Sequence, residues 1–214
     1  HGEAFGELGV YADHQAADHA TAHIPAILSG PDIAVGEQTG LHYHLDVAAT
    51  VVDLAGGHQP RAWDGVSQRA DIEAGTDAVG REFLVLTQGA WSCQRGVRFG
   101  DHLFLRTDHD GFHPHWADEM LFDLTDDPHE QVDLAIARPD VGSDARALLG
   151  GWIDEQLARS YVSQDPLVTI AAEGGPFHVR GHLDAYLDRL RTTGREQWVG
   201  PILARHRPEP PAFV

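Results

Sequence analysis

The stretch from Arg81 to Leu124 constrains the fold most. Phe83-Leu84-Val85-Leu86, Gly96 through Arg106, and Met120-Leu121-Phe122-Asp123-Leu124 are short apolar runs parted by turn residues. Runs of that length pair as antiparallel strands rather than wind into helices. Ala145 to Tyr161 follows, with Leu148, Leu149, Trp152, Ile153 and Leu157 on one helical face. Strands followed by a helix predict a small antiparallel-sheet α+β subdomain over residues 81–164.

The residues before it read differently. Gly2 to Gly9 is glycine-rich, which suits a loop close to a ligand. His19 to Ala22 predicts a helical turn. Ile24-Pro25-Ala26-Ile27-Leu28 reads as a buried strand stopped by Ser29-Gly30-Pro31. Asp46 is placed as the N-cap of a helix that carries Val47, Thr50, Val51 and Leu54 at helical spacing and ends at Gly56-Gly57. Strand, loop and helix in succession predict part of a larger α/β domain over 1–80, with Gly57 to Gly80 as a polar surface crossing. Residues 165–214 read as a tail with a short helix near Leu183 to Arg191, closed by Gly194, and a loose end from Pro208 to Pro211.

The charge narrows the partners. Net charge is −18, all fifteen basic residues are Arg, and Lys is absent. A broad acidic surface repels nucleic acid and anionic membranes. An anionic substrate would need a local positive site, made by a metal or by Arg and His. No run approaches the roughly 18 apolar residues of a membrane helix. Cys93 is the one cysteine, so no intrachain disulfide forms. Its strand-like surroundings predict a buried, inert thiol rather than a nucleophile.

Several landmarks follow one another in order. They are His1-Gly2-Glu3, Tyr11-Ala12-Asp13-His14, Ile24-Pro25-Ala26-Ile27, Gly30-Pro31, Asp46 through Gly56, Gly80-Arg81-Glu82, Val97-Arg98-Phe99-Gly100-Asp101, and Leu121 through Glu130. In that order they resemble the C-terminal part of a type I sulfatase of the alkaline-phosphatase-like superfamily. His1-Gly2-Glu3 matches the second half of an Asp-His-Gly-Glu motif, so the resemblance implies a C-terminal fragment of an α/β sulfatase fold.

The resemblance implies chemistry as well. The parent would be a sulfuric ester hydrolase acting on a small-molecule or glycan sulfate ester. It would use a formylglycine nucleophile, made from a Cys/Ser-x-Pro-x-Arg motif that these residues lack, and a divalent metal. The metal is usually calcium. An imidazole ligand such as His1 tilts the site toward Mn or Zn. Family members place a Lys, and sometimes a His, eleven positions before the Pro of the Ile-Pro strand. His14 stands eleven before Pro25 (25 − 14 = 11), which implies that it contacts a substrate oxygen or acts as general acid. A phosphodiesterase or phosphonate monoester hydrolase of the same superfamily is the alternative, and a non-catalytic truncated product is a second. Without the nucleophile and the remaining metal ligands, the missing N-terminal part of the same domain is the implied partner, and no turnover is expected from these residues alone.

The remaining candidates rest on residue type. Arg180, after Gly174-Gly175-Pro176, has a fork suited to sulfate or phosphate. Asp13, Asp18, His19 and His23 read as a polar loop on the acidic surface. Glu3 either binds a ligand or caps a turn. His42 and His44 lead into a helix, and His109, His113 and His115 read as a surface loop between strands. Arg138, Arg146 and Arg159 read as solvated partners of surplus carboxylates.

Overall fold

The structure is a computed structural model that describes residues 1–206. The loose end expected at Pro208 to Pro211 lies outside the described residues. Four strands, β1 (Phe83–Gln88), β2 (Cys93–Phe99), β3 (His102–His109) and β4 (Glu119–Asp123), form one antiparallel sheet in the order β1-β2-β3-β4. These are the apolar runs of the sequence, each strand turning directly into its neighbour. Gly100, at φ 46°, makes the two-residue turn between β2 and β3. Phe99 there pairs with His102.

Both faces of the sheet are covered. Leu103 and Leu105 of β3 point one way and join Ala4, Leu8, Val10, Ala16, Ala17, Trp116, Met120 and Phe122 in a single cluster. Phe104 points the other way by strand alternation and is also buried. Helix α4 (Pro139–Ala158) and helix α5 (Pro166–Ala172) pack on β2, and α5 also on β3. The helix expected from Ala145 thus begins six residues earlier, because Pro139 sits in its first turn, where a missing N–H costs nothing. Its buried face is Val141, Ala145 and Leu149. Trp152 is half-buried beneath the Arg95 guanidinium, which lies 5.3 Å from the ring centre. Arg95 in turn pairs with the buried Asp165 at 2.7 Å, so it ties β2 to the start of α5.

The tail carries more helix than expected. Besides α5 it holds α6 (Leu183–Thr192) and α7 (Val199–Arg205). Leu187, Leu190 and Ile202 form a small core between them. No helix among the described residues is long and apolar enough to cross a membrane.

The chain divides into two compact units, Pro25–Leu84 and the remainder (His1–Ile24 with Val85 onward). This differs from the division into 1–80, 81–164 and 165–214. The first 24 residues belong with the sheet because Ala4, Leu8, Val10, Ala16 and Ala17 fill its core.

The unit Pro25–Leu84 holds α2 (His44–Leu54) and the short α3 (Arg69–Ala74). Asp46 is the third residue of α2 rather than its cap. Its buried carboxylate accepts from Tyr43 N (2.7 Å), Val66 N (2.7 Å) and Arg81 Nη2 (2.6 Å). Thr50 is buried, but Val51 faces out. The strand expected at Ile24 to Leu28 does not form. Ile27 is 93% exposed and the run pairs with no strand among the described residues. An apolar run becomes a strand only where a neighbour accepts its backbone hydrogen bonds.

Candidate functional site

The N-terminal segment is folded by its own backbone. Ala4 N–H donates to Asp13 O (3.1 Å), and Ala12 N–H donates to Ala4 O (2.8 Å). Two residues thus face one, in the manner of a bulge. Phe5 bridges Tyr11, and a 3-10 turn over Glu7–Gly9 closes the loop. Ala12 and Asp13 both lie at positive φ, 81° and 83°. That kink sends the chain back past its own start. Gly2 N–H also donates to Thr21 O (2.9 Å), where a side chain would collide with the Ala20 carbonyl.

The result brings His1, Glu3 and His14 together. One donor atom from each lies within 4.8 Å of the others. The two imidazoles are 3.8 Å apart between ring centres and tilted by 33°. Glu3 Oε2 accepts from Asp13 N (2.6 Å), which leaves Oε1 facing His1 Nδ1 at 3.7 Å. His14 Nδ1 is buried, lies 2.7 Å from Asp13 Oδ1, and makes no hydrogen bond of acceptable geometry. Its carbonyl is held by the Gln88 side-chain amide. Two imidazole nitrogens and a carboxylate oxygen make a donor set for a borderline divalent ion.

The base of this segment is acidic and buried. Asp18 caps α1 (His19–Ala22), accepting from Thr21 N (2.8 Å) and from the Thr21 hydroxyl. It is fully buried, which corrects the surface placing of this one residue, whereas His23 of the same loop is exposed. Glu130, at φ 55°, is buried beside it and accepts from His19 N (2.8 Å). One oxygen of each carboxyl, Asp18 Oδ2 and Glu130 Oε2, has no hydrogen-bond partner among the described residues. Burial, and then the neighbouring Asp18, push the Glu130 carboxyl up to about 8. Burial likewise raises Asp18 and lowers His19 to about 4.

Two histidines of the β3–β4 loop, His113 half-buried and His115 at the surface as expected, also act as clamps. His113 Nε2 donates to Gln15 Oε1 (2.8 Å), and His115 Nε2 and Trp116 Nε1 both reach Leu8 O (2.9 and 2.8 Å). They hold the N-terminal segment on the sheet. Burial takes His113 down to about 4, which keeps that clamp neutral. His42 accepts from Gln68 (2.5 Å) and His44 opens α2. Arg180 donates to Gly175 O (3.1 Å) and Glu173 (3.4 Å), within its own segment and apart from His1 and His14. Arg138, Arg146 and Arg159 pair with Asp140, Glu119 and Glu155 as expected. Cys93 is buried, and its thiol is pushed up to about 12, out of reach of nucleophilic use at neutral pH. His206 gathers with His109 and Asp110, a grouping that no spacing in the sequence signals.

No protein-family model matches the chain, and no curated protein matches it. Solved structures do. A protein from Bacteroides thetaiotaomicron assigned as a sulfatase matches at TM-score 0.57 and 20% identity, covering 80% of this chain and 38% of that one. A 2-O GAG sulfatase matches at TM-score 0.49 and 21% identity, covering 70% of this chain and 34% of that one. The chain spans well under half the length of these structures. Its fold, helices around an antiparallel four-stranded sheet within the α/β class, is that of the sulfatase structure it matches at TM-score 0.57.

Proposed function

We propose that these residues are the C-terminal part of a sulfate-ester hydrolase of the formylglycine, divalent-metal type. The observation that carries the proposal is the convergence of His1, Glu3 and His14 on a loop of a sulfatase fold. His1 and Glu3 would hold a divalent ion, and His14 would face the substrate oxygen. His14 is held at both ends, its Nδ1 2.7 Å from Asp13 Oδ1 and its carbonyl by the Gln88 amide, which supports a role for that ring beyond packing. The imidazole of His1 with the single carboxylate of Glu3 suits Mn or Zn, whereas calcium would depend on further oxygens from elsewhere. When bound, such an ion supplies positive charge for the sulfuryl oxygens.

The chain's own residues then do two things. Ala12 and Asp13 fix the turn that aims His14. Asp13, 2.7 Å from His14 Nδ1, orients the ring toward the leaving oxygen, for which it would serve as general acid. The substrate class is a small-molecule or glycan sulfate ester. The imidazole-rich donor set favours one second reading, a phosphodiesterase or phosphonate monoester hydrolase on the same scaffold.

The complete polypeptide decides between them. It is assayed on nitrophenyl sulfate and on bis(nitrophenyl) phosphate, with His1→Ala and His14→Ala beside the parent. Sulfate-ester turnover that falls at least about 100-fold in each variant is expected. Turnover restricted to the phosphodiester transfers the site to the second reading. Undiminished turnover in His14→Ala removes that residue from the chemistry. The 214 residues by themselves, metal-loaded, are expected to turn over neither ester, since no Cys/Ser-x-Pro-x-Arg occurs in them.

A further inference from the structure

A second imidazole–carboxylate group lies at the far end of β3. His109 ends that strand, Asp110 follows it, and His206 stands directly after α7, nearly a hundred positions away. One donor atom from each lies within 4.8 Å of the others. In a tetrahedral site with bonds of 2.0–2.2 Å, donors sit about 3.4 Å apart, so small side-chain adjustments close the gap. The group borders a cavity of about 310 Å3 lined by Asp108, His109, Val168, Leu183, Arg205 and His206.

The electrostatics of the group are unfinished. The Asp110 side chain is 1% exposed and that of His206 is 6% exposed. Asp110 Oδ1 accepts from His206 Nε2 (2.8 Å). Asp110 Oδ2 accepts no hydrogen bond among the described residues. The nearest cation, Arg205 Nη1 at 3.3 Å, donates instead to Trp116 O, while its Nη2 donates to Asp118 (2.8 Å). A buried carboxylate oxygen left this way is costly unless something binds it. The wall opposite His109 is cut back to receive the ring. Gly175 takes φ 98°, and a Cβ there would stand 2.5 Å from His109 Nε2.

We propose that His109, Asp110 and His206 form a second divalent-metal site, for a borderline transition ion such as Zn(II), separate from the group at the N-terminus. Two imidazoles and one carboxylate, with cavity beside them, give three protein ligands and an open position. Binding exchanges two hydrogen bonds, Gly111 N–H to His109 Nδ1 (3.0 Å) and His206 to Asp110, for metal–ligand bonds. It also engages the orphaned Asp110 oxygen.

The test uses the full chain carrying His1→Ala and His14→Ala, which silences the N-terminal group. Co(II) titration is expected to give one equivalent with the intense d–d absorption of a four-coordinate ion. Asp110→Asn and His206→Gln, both near-isosteric, are expected to weaken binding at least about tenfold, with folding followed by circular dichroism. A measurement that needs neither variant runs alongside. Zn(II) should protect His109 and His206 from carbethoxylation, read by mass spectrometry. No cobalt spectrum, a spectrum unchanged in both variants, or histidines left unprotected by Zn(II) would each overturn the site and leave Asp110 and His206 as an ordinary buried ion pair. None of these readouts involves ester hydrolysis, so this site and the sulfatase proposal stand or fall separately.

Discussion

The sheet and the N-terminal segment that lies on it are stabilised in opposite ways. The sheet buries Leu103, Phe104, Leu105, Leu121 and Phe122 almost completely, in regular backbone. The segment 1–24 presents Phe5 and Tyr11 to solvent, keeps buried carboxyls at its base, and holds Leu8, Ala12 and Asp13 at positive φ. It stays in place through a few small apolar anchors and the clamps from His113, His115 and Trp116. The sheet therefore supplies stability, and the segment spends some of it on aiming His1, Glu3 and His14. Strained or polar geometry of this kind persists only where the surroundings over-determine it.

The sharpest way to break that contrast is a pair of aromatic deletions. Phe122→Ala empties a fully enclosed position in β4 and is expected to cost about 3–5 kcal/mol, a large part of a typical domain's 5–15 kcal/mol. Phe5→Ala, at an 82% exposed position, is expected to change stability by less than about 0.5 kcal/mol. Urea unfolding measures both. Equal losses would mean that the segment, not the sheet, carries the core.

The buried carboxyls give a pH-dependent test. Glu130 faces Asp18, Glu7 and Asp127, with His19 N–H as its one hydrogen-bond donor among the described residues. Its carboxyl is raised from 4.5 to about 8, so the folded chain holds a proton that the unfolded chain has released. Stability is then fully present below pH 4.5 and is lost as pH rises toward 8, by up to about 1.4 kcal/mol per unit. Asp18, also raised, acts in the same direction. Glu130→Gln keeps an acceptor for His19 and removes the titration. The variant should hold its melting temperature between pH 5 and pH 8 better than the parent does. Parallel pH profiles for the two proteins would show that Glu130 ionises freely in the fold.

The same contrast explains what could be read in advance. The strands β1 to β4 were legible because apolar runs and turn residues encode them locally. The apolar run Ile24 to Leu28 looks the same in sequence, yet whether a run finds a partner strand is not a local property. Asp46 was legible as a helix-start carboxylate, but a cap and a third helical residue share that signature. In the site, His1 and His14 stood out by motif, and Glu3 joined them only once the Ala12-Asp13 kink was known. Glu130 sits in a recognisable Asp-Pro-His-Glu run, but its burial against Asp18 depends on two segments more than a hundred residues apart. Asp110 and His206 likewise meet only in the folded chain.

The smallest expected effect tests where the strain resides. Ala12 at φ 81° occupies backbone space that glycine enters without a Cβ penalty of about 1–2 kcal/mol. Ala12→Gly relieves that penalty, and the greater freedom of glycine in the unfolded chain offsets about 0.4–1 kcal/mol of the relief. The expected outcome is a gain of up to about 1 kcal/mol in chemical denaturation. The hydrogen bond from residue 12 N–H to Ala4 O uses the backbone and survives the change. Ala12→Val, with a branched Cβ in the same conformation, should lose stability instead. If glycine proves the less stable of the two, the turn is not strained, and the segment's aim at His1 and His14 must come from the clamps on Leu8 and Gln15 alone.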